Sequence, residues 1–282
     1  MKITILINCP DQSGIISTVT NFIHTKGGNI VYIDQYVDKE SSIFFMRLES
    51  IFSTPVTFED FKSNFDSQLA KKYQMQWEMH KEITVPKMAL FVSKYDHCLY
   101  DLLSRYSSGE LDVDIPLIIS NHDKAASIAS QFSIPFYHIP VSKATKKEAE
   151  DSQLALLAKY KIDFIVLARY MQIIGQNVIN QFPNKIINIH HSFLPAFAGA
   201  KPYHAAYKRG VKIIGATSHY VTADLDEGPI IEQDVATVSH THNIEDLIAK
   251  GRDLEKIVLA RAVKLHINRK TMVFNNKTVV FT

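Results

Sequence analysis

The sequence predicts an α/β fold in two parts. A ferredoxin-like α+β domain spans residues 1–80, and a connector at 81–87 leads to a Rossmann-like domain with a mostly parallel sheet over 88–282. Three observations carry this. As far as Met79 the chain reads strand-helix-strand-strand-helix-strand, the split βαβ order. From Met88 onward strands alternate with helices, the pattern of a parallel sheet covered on both faces. The change falls at a short segment containing Pro86, which suits two domains joined without slack.

In the first part, Lys2 to Ile7 is an apolar strand, and Pro10-Asp11-Gln12-Ser13-Gly14 is a turn. Ile15, Ile16, Val19, Phe22 and Ile23 recur at helical spacing, and Gly27-Gly28 ends that helix. Strands at Asn29 to Val37 and Ile43 to Leu48 flank a polar turn, and Phe58 to Tyr73 is an amphipathic helix before a strand at Met75 to Met79. In the second part, apolar runs at Met88 to Val92, Asp114 to Ser120, Pro135 to Ile139, Phe164 to Leu167 and Ile186 to Ile189 predict strands. Helices between them span Leu99 to Ser107, Asp123 to Phe132, Thr145 to Tyr160 and Gln176 to Phe182. Strands at Ile213 to Val221 and Ile230 to Val238, a long helix at Asn243 to His266 and a hairpin about Asn275-Asn276-Lys277 complete the chain.

Composition narrows the function classes. With 46% apolar and 21% charged residues the chain can bury a sizeable core, and a formal net charge of +2 without a Lys/Arg block argues against nucleic acid. Cys9 and Cys98 match neither a disulfide framework nor a metal spacing. The apolar start Met1 to Ile7 breaks at Asn8-Cys9-Pro10-Asp11, too early for a signal peptide or membrane span, so the expectation is a cytoplasmic protein.

The chemistry concentrates at Ile186-Ile187-Asn188-Ile189-His190-His191-Ser192. Asn188 and His190 stand two apart at a strand end, so both side chains face one substrate atom. Downstream, Ser218-His219-Tyr220 and Leu225-Asp226-Glu227-Gly228-Pro229 add a histidine and an acid in a turn. Amide and imidazole N–H groups can hold an oxyanion, while imidazole and carboxylate move protons, a set suited to acyl-group chemistry. Singly, each residue has a plainer role: Asn188 as a cap, His190 and His219 as bonded strand histidines, Asp226 as a turn former. A metal hydrolase is the rival enzyme class, with His240-Thr241-His242 able to put two ligands on one strand face. The chain nevertheless lacks a His-Glu-x-x-His pattern and a cysteine pair, so no metal is expected.

The block from Ile187 to Asp234, with Asn188-Ile189-His190 and Asp226 in their relative places, resembles the folate-dependent formyltransferase family. The wording from Ile187 to Phe197 and from Gly199 to His204 is similar to its hydrolytic branch, and the likeness runs over nearly the whole chain. That resemblance implies Asn188, His190 and Asp226 as the catalytic set, with His219 supporting them. It implies folate contacts at Arg169, Met171, Gln172, Ile174 and Thr222, and Lys201 and Tyr203 on the acceptor side. Arg169 has an alternative as a structural ion pair. The implied reaction is hydrolysis of 10-formyltetrahydrofolate to formate and tetrahydrofolate, in one-carbon and purine metabolism. Folate is then substrate, and no cofactor is expected.

Two further segments bear on this. The turn Ser93-Lys94-Tyr95-Asp96-His97-Cys98-Leu99 holds no glycine, so its backbone cannot close on a phosphate. Glycinamide ribonucleotide formyltransferases resembling this chain have a glycine-rich loop there, so water is the implied acceptor. Transfer to that ribonucleotide, and a non-catalytic folate or amino-acid sensor, stay as alternatives. The block Asn8 to Ile15, with Asp11 and Gly14 at its turn, resembles the ACT regulatory module, which implies pairing into a homo-oligomer and a small effector such as an amino acid. On the plainer reading Gly14 only permits the tight turn.

Overall fold

A computed structural model describes residues 1–53, 56–81, 85–196 and 202–282. Its contacts divide the chain into two compact units. One comprises Met1–Thr84 with Arg269–Met272 and Val279–Thr282, the other Val85–Asn268 with Val273–Thr278. The division on the N-terminal side falls between Thr84 and Val85, and parts of the final hairpin group with the first unit.

The first unit runs β1 (Lys2–Pro10), α1 (Ile15–Thr25), β2 (Gly28–Asp38), β3 (Ile43–Phe52), α2 (Phe58–Phe65), α3 (Lys71–Tyr73) and β4 (Gln76–Lys81). The predicted helix Phe58 to Tyr73 is continuous, but a π-helical turn at Asp66–Ala70 joins α2 to α3. All pairings in its sheet, ordered β2-β3-β1-β4, are antiparallel. Phe22, Phe52, Phe61 and Phe65 pack as a ring cluster over one face. Gly14 enters α1 at φ 91°, a left-handed conformation that glycine adopts without steric cost. Asp11 donates its backbone N–H to the Ser42 carbonyl at 2.8 Å, closing the turn in which it sits.

The second unit begins β5 (Lys87–Val92), α4 (His97–Ser107), β6 (Asp114–Ser120), α5 (Ala126–Gln131), β7 (Phe136–His138) and α6 (Lys146–Tyr160). It continues β8 (Phe164–Ala168), α7 (Gln176–Gln181), β9 (Ile186–His190), α8 (Pro202–Arg209), β10 (Ile213–Tyr220), β11 (Ile230–Thr237) and α9 (Ile244–Ile267). The final hairpin pairs β12 (Thr271–Phe274) with β13 (Lys277–Val280). Among the described residues the main sheet is ordered β11-β10-β9-β8-β5-β6-β7. It is parallel from β9 to β7 and antiparallel where β10 meets β9 and β11. Strand direction reverses there because β10 returns beside β9, which brings His219 level with Asn188. The central strands are buried on both faces, hence their unbroken apolar runs. α9 starts with a capping box of Asn243 and Asp246 and lays Leu247, Leu254, Val258 and Leu259 against the core. No described helix is long and apolar enough to cross a membrane.

Candidate active site

Asn188 and His190 stand at the carboxyl end of β9. Its sequence alternates so that Ile187 and Ile189 enter the core while Asn188 and His190 share the other face. Antiparallel pairing puts His219 opposite Asn188, where the Asn188 amide Nδ2 lies 3.2 Å from His219 Nε2. His219 Nδ1 lies 2.9 Å from the Tyr220 carbonyl, to which it donates. The ring therefore presents at Nε2 a lone pair that accepts from Asn188.

Asp226 arrives from the turn between β10 and β11. Its φ of 59° is left-handed, an uncommon state for a non-glycine residue outside functional turns. The turn is closed by Gly228, where an added Cβ would sit 1.8 Å from the Tyr220 carbonyl oxygen. Only glycine fits this backbone approach. The turn sets Asp226 Oδ2 3.2 Å from His190 Nδ1 and Oδ1 3.7 Å from His219 Nε2. The hydrogen bond from His190, and after it the His219 ring at longer range, hold the carboxyl well below the usual aspartate range, against the opposing effect of burial. Among the described residues His190 Nε2 is buried without a hydrogen-bond partner, an atom awaiting a polar group of a ligand.

These residues line a cavity of about 270 Å3, with residues 169–174 on one side and 221–226 on another. Arg169, Met171, Gln172, Ile174 and Thr222 thus stand around the same space as Asn188, His190, His219 and Asp226. The loop carrying Met171 is tied down because Ser93 Oγ accepts the Met171 N–H at 3.0 Å and donates to Asn121 Oδ1 at 2.5 Å. The glycine-free turn after β5 therefore braces the pocket.

Arg169 takes its alternative role as well. Its φ is 63°, its side chain is buried, and its Nε lies 3.3 Å from Glu255 Oε2 with the guanidinium 5.0 Å from the Tyr95 ring centre. Tyr203 lines no part of the catalytic cavity. Its hydroxyl donates to Glu255 Oε1 at 2.6 Å, and its ring lies on Gly251, where a Cβ would meet it at 2.2 Å. Lys201 lies outside the described residues. His240 and His242 occupy an exposed turn after β11 and not a strand face, with Ser239 N–H donated to His242 Nδ1 at 3.0 Å.

Sequence reasoning missed Glu255, 1% exposed and also 2.8 Å from His97 Nε2. Burial pushes its carboxyl up, but the hydrogen bond from His97, the Arg169 charge and Tyr203 together leave it below the ordinary value. The available signal was a carboxylate on the apolar stripe Gly251, Leu254, Val258, Leu259. Among the described residues His97, Cys98 and Glu255 also have metal-ligand spacing. Arg169 and the hydrogen bonds to Glu255 account for that carboxylate without an ion.

Fold and site together define a formyl-group enzyme coupled to an ACT domain: residues 86–263 match the formyl transferase family and residues 3–66 the ACT domain. The chain is 54% identical over 279 residues to the formyltetrahydrofolate deformylase of Synechocystis sp., covering 99% of this chain and 98% of that protein. It is 47% identical to that of Bacillus subtilis over 98% of this chain and 93% of the relative. A crystal structure of a formyltetrahydrofolate deformylase from Pseudomonas syringae pv. tomato superposes with a TM-score of 0.96 at 44% identity, over 100% of this chain and 95% of that one. The chain belongs to the formyltetrahydrofolate deformylase family.

Proposed function

We propose that this protein hydrolyses 10-formyltetrahydrofolate to formate and tetrahydrofolate, and that Asn188, His190 and Asp226 carry the reaction. The observation that supports it best is the junction of a low-pKa Asp226 carboxylate, an open His190 Nε2 and the Asn188 amide at one end of a single cavity. The folate lies along residues 169–174 and 221–226 and presents its N10-formyl group to this end. Water held by Asp226 attacks the formyl carbon. The developing oxyanion is held by the Asn188 N–H and by His190, whose Nδ1–H stays on Asp226 while a protonated Nε2–H meets the oxygen.

A carboxylate held this far down is a weak base in the resting site. As the oxyanion forms at His190 Nε2, its negative charge faces Asp226 and competes for the imidazole hydrogen bonding that holds the carboxyl down, so Asp226 gains proton affinity as the water releases its proton. That proton then passes to N10, the formyl C–N bond breaks to give tetrahydrofolate and formic acid, and the acid gives its remaining proton to solvent and leaves as formate. His219 positions both Asn188 and Asp226. The reaction needs neither a metal nor a bound cofactor.

In the wider role we assign, the enzyme acts in the cytoplasm, balancing one-carbon folates and supplying formate for purine synthesis. The first unit binds an amino-acid effector near Asp11 and Gly14 and pairs subunits into a homo-oligomer. Its edge strand β2, with Val31, Ile33 and Tyr36 exposed, supports that pairing.

Purified protein treated with chelator and given 10-formyltetrahydrofolate, with and without glycinamide ribonucleotide, tests the reading. Formate release that needs neither metal nor acceptor is expected. Turnover only with the ribonucleotide would make the protein a transferase.

A further inference from the structure

Beside the catalytic cavity lies a second one of about 220 Å3, and the two share Arg169 and His191 as walls. The His191 ring stands 5.1 Å from that of His190 and 6.0 Å from that of Tyr203, so it separates the two spaces. The inner surface is formed by buried Arg169, His191, Tyr203 and Glu255, and the mouth by exposed Tyr95, His204 and Arg252. Glu255 is already bonded to His97, Tyr203 and Arg169. Arg252 makes no ion pair among the described residues, so the space carries a net positive charge at neutral pH. A positively charged lining of this kind suits a small anion with water.

Hydrolysis creates such an ion at the boundary of this space. The new formate forms beside ionised Asp226, which repels it, while tetrahydrofolate still fills the first cavity. Arg169 and His191 offer the adjoining wall, and a positive field beyond it draws the anion on. We propose that the second cavity is a small-carboxylate site that receives formate and releases it past Arg252, an inference that rests on the deformylase reading for the identity of its ligand.

Two measurements on the full-length protein test this. In the first, the line width of 13C-formate is titrated against wild-type protein, Arg252→Ala and Arg252→Lys at constant ionic strength. Loss of one exposed guanidinium is expected to weaken binding roughly three- to tenfold in Arg252→Ala, with partial recovery in Arg252→Lys. A near wild-type melting temperature checks that each variant is folded. Formate binding that is absent, or the same in all three proteins, would overturn the site. In the second, formate inhibits turnover at varied 10-formyltetrahydrofolate. Mixed inhibition is expected because formate and folate occupy different spaces, whereas strictly competitive inhibition would mean one shared cavity. Absence of turnover in the wild-type protein would defeat the deformylase reading, and the binding titration would still decide the carboxylate site.

Discussion

Asp226 reaches His190 Nδ1 at 3.2 Å from a left-handed backbone of φ 59°. The carboxylate therefore depends on its turn for position and on His190 for the hydrogen bond that holds its pKa down. An asparagine keeps the shape and loses the base. Asp226→Asn should lower kcat by roughly 10² to 10⁴ with little change in KM, read from initial rates of formate release. A rate within tenfold of wild type would transfer the proton role to His190.

The same pair gives stability a defined pH dependence. The folded pKa of Asp226 lies below its unfolded value of about 3.9, so its contribution is complete above that value and lost as pH falls toward the folded pKa. Urea unfolding between pH 3 and pH 7 should show wild-type stability declining below about pH 4 to 5. In Asp226→Asn that part of the decline should be missing, and identical slopes for the two proteins would contradict the assigned charge state.

Asn188 offers its amide to His219 Nε2 at 3.2 Å and borders the cavity. Asn188→Ala should cost about 10² to 10³ in kcat through loss of one oxyanion donor. Steady-state kinetics would show the loss in kcat more than in KM if the bond forms chiefly in the transition state.

Gly228 has no room for a side chain, because an added Cβ falls 1.8 Å from the Tyr220 carbonyl oxygen. Gly228→Ala should destabilise the fold by about 2 to 4 kcal/mol and raise KM, since the displaced turn carries Thr222 and Asp226. Denaturant unfolding and saturation kinetics check the two effects together.

Glu255 is fully buried and holds His97, Arg169 and Tyr203. Glu255→Ala should cost about 3 to 5 kcal/mol because it leaves the Arg169 charge buried without its partner. Glu255→Gln keeps the shape and should lie between the two in unfolding experiments.

Much of this was legible in the sequence where one short-range rule decides the outcome. The period of two along Ile187-Asn188-Ile189-His190 put both polar groups on one face, and helical spacing located α1. Relations between distant residues were less legible. Glu255 meets Arg169 across 86 positions, and no local pattern shows which cation a core carboxylate will find. Tyr203 is placed on the acceptor side of the site by the family resemblance alone. Gly251 instead lets its ring settle on α9, and its hydroxyl goes to Glu255. Ser93 carried no motif, since its importance lies in a backbone N–H that arrives from residue 171.

The first unit also includes residues near the far end of the sequence. The Arg47 Nε donates to the Arg269 carbonyl at 2.8 Å, and Tyr32 donates its hydroxyl to the Thr282 carbonyl at 2.5 Å. On the ribosome, the strands that carry Tyr32 and Arg47 emerge well before residues 269–282 are made. This unit therefore receives these two contacts only after the whole of Val85–Asn268 has been translated, so nascent chains stalled before residue 269 would carry a first unit that is less protected from proteolysis than in the full chain.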